Sequence, residues 1–142
     1  MFSPSQHDVR TFFCETYRKT RAREILTPLE TIASDWIVQH PEYDQDFADL
    51  NAALEAHYPV DQGKTNPFLH LSMHLSIAEQ ISINQPPGIA GAFKQLAQRF
   101  GSAHEAHHIM MECLGAVIWE AQRHGTAFDG VAYMEAIRLK LG

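Results

Sequence analysis

Helix start and stop signals recur along almost the whole chain, and no stretch between them alternates as a strand would. Thr27-Pro28-Leu29-Glu30 sets a capping residue, a proline at the first helical position and a carboxylate three residues after the cap. Asn66-Pro67 repeats the cap-then-proline order, Ser102-Ala103-His104-Glu105 repeats the capping box, and Asp129 opens a last segment. Pro41 and the Pro86-Pro87-Gly88 reversal stop helices, because the residue before a proline is pushed out of the helical region. Gly101 and Gly125 stand where left-handed end caps belong. Helical segments are therefore expected at residues 6–23, 28–40, 45–57, 67–83, 89–100, 102–123 and 129–141. The pattern supports one class, an all-α single-domain bundle of six or seven helices over residues 1–142, with no sheet.

Apolar spacing assigns the inward faces. Val9, Phe12, Phe13 and Tyr17 form a stripe with Thr16 and Arg18 facing out. Leu29, Ile32, Ala33, Trp36 and Ile37 form the next stripe, and Phe47, Leu50 and Leu54 the third. Met111, Leu114 and Ile118 lie on a helix that is apolar over much of its circumference, and Trp36 and Trp119 are expected in the core.

A chain of 142 residues can bury one adequate core without staples. Its net charge of -6 argues against nucleic acid as a main partner, since phosphate binding needs clustered Lys and Arg. The one dense basic run, Arg18 to Arg23, reads as a solvated helix end, where cations suit the dipole. Cys14 and Cys113 lack CxxC spacing and fall in apolar helical patterns, so reduced, buried thiols are expected. Met1 to Asp8 lacks the regions of a signal peptide, and no apolar run approaches the ~18 residues of a membrane span. A soluble cytoplasmic protein is the expectation.

Histidines give the chain its chemistry. His70 and His74 form one HxxxH pair, and His104 and His108 another. Residues four apart share a helix face, so each pair can aim two imidazoles at one point. His70, His74, Ile77 and Ile81 lie along one stripe, which turns the first pair inward. Both pairs begin the first turns of their helices. If the helix between returns antiparallel, the two pairs come level at one end of the bundle, where axes 8–10 Å apart let rings meet. The expected ligands of one transition-metal ion are His70, His74, His104 and His108, with Glu112, at i+8 from His104, as an added ligand or orienting partner. Imidazole donors suit zinc, iron, nickel or manganese better than calcium or magnesium. A helix N-terminus opposes a cation but also keeps imidazole neutral and able to ligate, and these effects act against each other. The spacing names no reaction.

Other readings compete. His7, His40, His57 and His124 lie at helix ends or turns and are assigned structural roles. His107 points roughly 100° away from His108, toward the surface or behind the ligands. His104-Glu105-Ala106-His107-His108 also matches HExxH, in which Glu105 would be the general base of a zinc hydrolase. Against that, Glu105 sits in a capping box and no sheet flanks a cleft. A third reading is a non-enzymatic adaptor or homo-oligomer whose histidines are hydrogen-bonded core residues.

The stretches Asn66-Pro67-Phe68-Leu69-His70 through His74, Gln85-Pro86-Pro87-Gly88-Ile89 and His104-Glu105 through Glu112-Cys113 together resemble an uncharacterised proteobacterial domain-of-unknown-function family. Leu29-Glu30 and His40-Pro41-Glu42-Tyr43 fit as well, so the resemblance covers nearly the whole chain. It implies a bacterial protein and supplies no mechanism. The family pattern has an acidic residue where this chain has His107, so the resemblance keeps His104, His108 and Glu112 as candidates and not His107. Hemerythrin-like and ferritin-like bundles are a looser comparison. The chain lacks their paired bridging carboxylates, which favours a mononuclear site.

Overall fold

The computed structural model describes residues 5–59 and 65–142. The part of the expected loop at 60–64, with Gly63, lies outside the described residues, as do the first four residues. The chain divides into two compact units, Met1–Leu75 and Ser76–Gly142, and the boundary falls within one helix. Every regular element among the described residues is helical, as the punctuation requires.

The first unit holds α1 (Gln6–Ala22), α2 (Pro28–Val38), a 3-10 turn (Pro41–Tyr43), α3 (Asp44–Phe47), α4 (Leu50–Glu55) and the start of α5 (Pro67–Ile83). The single helix expected over 45–57 is two short ones. Asp49 adopts an extended conformation and its carboxylate accepts from the Ala52 amide at 3.2 Å, so it caps a new helix instead of continuing the old one. The core forms where α1 meets α2, α3 and α4. Phe13 lies 6.2 Å from Phe47 and 6.5 Å from Phe68, and Phe47 meets Phe68 edge-on at 5.3 Å. Ala33, Trp36 and Ile37 are buried as expected.

Three inward or outward assignments are corrected. Leu29 is 52% and Ile32 41% exposed, because only one flank of the expected α2 stripe meets α1. Thr16 is buried, not outward. Its hydroxyl donates to the Phe12 carbonyl at 2.8 Å, so burial strands no polar group. Arg10 is buried too, with its guanidinium donating to the carbonyls of Ala53 and Ala56 at 2.6 and 2.7 Å, where α4 ends.

The α2 capping box forms completely. Thr27 Oγ1 accepts from the Glu30 amide at 3.1 Å and the Glu30 carboxylate accepts from the Thr27 amide at 2.9 Å. That amide bond and the Lys19 ammonium at 3.1 Å hold the Glu30 carboxyl below its usual range. A lowered carboxyl pKa stabilises the fold above the ordinary carboxylate range and loses that contribution as pH falls below that range through the lowered value. Glu30→Gln is therefore expected to melt below wild type at pH 7, with a deficit that shrinks as pH falls through the lowered pKa, as thermal denaturation across an acid pH series would show. A deficit unchanged in acid would contradict the ion-pair origin.

The second unit holds the rest of α5, then α6 (Ile89–Phe100), α7 (Ala103–His124) and α8 (Gly130–Leu141). Gly88 turns the chain into α6 at φ +94, a left-handed value that favours glycine, and the Asn84 side chain accepts from the Gly88 and Ala90 amides. α7 packs on both α6 and α8, and buries Met110, Met111, Cys113 and Leu114. Tyr133 is fully buried and donates its hydroxyl to Gln80 Oε1 at 2.8 Å. Trp119 was expected in the core but is 56% exposed, with the Arg123 guanidinium 5.1 Å over its ring. Both cysteines are free and buried as expected. Among the described residues no helix is long and apolar enough to cross a membrane.

Candidate metal centre

His40 stands just past α2, before Pro41. Proline bars it from the helical region, and its backbone turns to φ -128, ψ 61. The side chain then folds back over the last turn of α2, with Nδ1 2.7 Å from the Trp36 carbonyl. A carbonyl can only accept, so Nδ1 carries the hydrogen and Nε2 of the neutral ring carries the lone pair. The Tyr43 ring lies parallel to this imidazole at 5.4 Å.

α5 supplies the other two rings of the first unit. Asn66 caps it, its side-chain oxygen accepting from the Phe68 and Leu69 amides at 3.0 and 3.2 Å. His70 follows in the first turn and His74 one turn later, on the same face. His74 is fully buried, and its ring stacks on Trp36 at 4.0 Å and 17°. His70 is half-buried.

Three nitrogens converge. His70 Nε2 lies 3.2 Å from His40 Nε2 and 3.2 Å from His74 Nε2. A ring nitrogen has a single in-plane valence, either one hydrogen or one lone pair. It can make one good linear hydrogen bond, so two contacts at His70 Nε2 leave at best a split, weak one. A cation between the rings would use all the lone pairs at once. The spacing agrees: nitrogens tetrahedrally placed at 2.0–2.1 Å from an ion stand about 3.3 Å apart. His40 and His74 belong to a buried histidine cluster that could hold a metal ion, with the Trp36 carbonyl orienting one ring through its far nitrogen.

The second HxxxH pair lies in the second unit. Ser102 caps α7 by accepting from the Glu105 amide at 3.1 Å, which places His104 and His108 in its first turns. Their rings are 4.4 Å apart at 64°, both half-buried, so the i, i+4 spacing brings them together as expected. His107 is not at the surface. It is 3% exposed and meets Phe93 edge-on at 5.6 Å. Burial, with His104 and His108 beside it, pushes its pKa down to about 4 and keeps that imidazole neutral.

The carboxylates fall elsewhere. Glu112 is exposed, with its carboxylate 3.5 Å from Lys140 Nζ. Eight residues of helix overshoot two turns by about 80°, so the ladder expected from His104 does not carry through to Glu112. Glu105 is exposed at the start of α7.

Sequence reasoning missed His40. It gave this residue a structural role at a helix end, because no periodicity marks a ring that reaches the cluster from outside a helix. The signal present was His40-Pro41, a histidine forced off the helix axis beside a buried Trp36 stripe.

These observations define a class, an all-α chain with a buried histidine cluster able to hold a metal ion. The family model described as a domain of unknown function, DUF1841, matches residues 5–139, and the chain belongs to that family. No curated protein and no solved structure matches the chain.

Proposed function

We propose that this protein binds one transition-metal ion through imidazole nitrogens, with His40, His70 and His74, whose nitrogens converge within the first unit, as ligands. His40 joins the His70–His74 pair that the spacing gave, and Glu112, beside Lys140, stays outside the set. The observation that carries the reading is the pair of 3.2 Å contacts shared by the single Nε2 of His70, which neutral rings cannot both satisfy well. Neutral imidazole donors leave the ion its full charge and suit zinc, iron, nickel or manganese.

Elemental analysis of untagged protein tests the reading. Wild type is expected to carry about one equivalent of metal, and so is His57→Ala at an exposed histidine. His40→Ala and His74→Ala should each retain a small fraction of that. Equal, substoichiometric metal in all four proteins would overturn the reading.

A further inference from the structure

We infer that this protein pairs with a second copy of itself through the outer face of α7, the two helices running antiparallel about a two-fold axis. Glu112, Ala116, Trp119 and Arg123 are all exposed, and they recur at intervals of four, three and four residues along α7. At 3.6 residues per turn that spacing keeps them on one stripe, the kind of seam along which helices pair. The whole stripe lies in the second unit, on the side of α7 opposite the buried Met110, Leu114 and Val117. The order along it is its own complement. Ala116 and Trp119 stand equally far from its midpoint, and so do Glu112 and Arg123. An antiparallel copy related by a two-fold axis at that midpoint sets each Trp119 against Ala116 of the other copy, and each Glu112 against Arg123. A large ring meets a methyl and an acid meets a base, twice over, as an isologous contact requires. A parallel copy would set Glu112 against Glu112 and Arg123 against Arg123, so the charges choose the orientation.

The indole has what an anchor needs. The Arg123 guanidinium lies 5.1 Å over the Trp119 ring and holds it in place before contact, which lowers the cost of ordering it. Ala116 borders a groove of about 300 Å³ lined also by Val117, Ala121, Ala127 and Ala132, small apolar side chains that leave room for a ring. Tryptophan and arginine are the residue types that most often dominate the energy of an interface. The Lys140 ammonium, 3.5 Å from the Glu112 carboxylate, does not compete strongly, because a contact between two exposed side chains contributes little.

Sedimentation equilibrium of the full chain at micromolar concentrations tests the pairing. Wild type is expected to dimerise, and Trp119→Ala to weaken the dimer by about thirtyfold or more. Glu112→Arg and Arg123→Glu each set like charges against each other at both ends of the stripe, so each alone should be monomeric. An equimolar mixture of these two variants restores opposite charges at both ends and should associate again, as should one chain that carries both substitutions. The substituted positions are exposed, so every variant should keep the far-ultraviolet circular dichroism of wild type. A wild-type chain that stays monomeric would overturn the inference. So would a dimer that survives Trp119→Ala and both charge reversals. Two monomeric variants that fail to associate when mixed would overturn the antiparallel pairing of Glu112 with Arg123.

Discussion

Replacing His74 with alanine is expected to abolish metal binding and to lower stability by about 2–4 kcal/mol. The stability loss comes from emptying a fully buried position whose ring stacks on Trp36 at 4.0 Å. The metal loss comes from removing a nitrogen that the fold holds without freedom to move. The two effects separate in a denaturant titration run with and without metal. An ion that binds only the folded chain adds about 2.7 kcal/mol at a hundred times its dissociation constant. Wild type should show that gain and His74→Ala should show none. An equal gain in both proteins would mean that the ion binds somewhere else.

Phe13→Ala is expected to be the most damaging single truncation in the first unit, at about 3–5 kcal/mol in urea denaturation. Phe13 is 1% exposed and its ring touches those of Phe12, Phe47 and Phe68, so it joins α1 to α3 and to the start of α5. No neighbour can collapse into the space without breaking another of these contacts. Phe12→Ala, one position away and only partly buried, should cost clearly less. Similar losses at the two positions would contradict the assignment of Phe13 as the centre of that core.

What could be read from the sequence was local. The caps at Thr27, Asn66, Ser102 and Asp129 each close within three residues, so their side chains announce them without tertiary knowledge. The i, i+4 spacing of His70–His74 and His104–His108 is likewise internal to one helix, and both pairs have adjacent rings. What was hidden depended on which neighbour covers a face. Leu29 and Ile32 fit the α2 period as well as Ala33 does, yet only the latter is covered. Thr16 looks outward by type, but its hydroxyl is satisfied inside its own helix and costs little to bury. Trp119 shows the converse error, since a large apolar residue on a largely buried helix can still face solvent. His40 was the consequential omission. Its role follows from a proline-imposed turn and a hydrogen bond to Trp36, neither of which has a periodic signature.

The convergence of imidazole nitrogens on one ion is the claim on which the functional account stands. X-ray absorption spectroscopy of the metal-loaded protein tests it most directly. The account expects a shell of nitrogen donors at about 2.0–2.1 Å with the outer-shell scattering of several imidazole rings. A sulfur shell at about 2.3 Å, or a shell of oxygens without ring scattering, would contradict it.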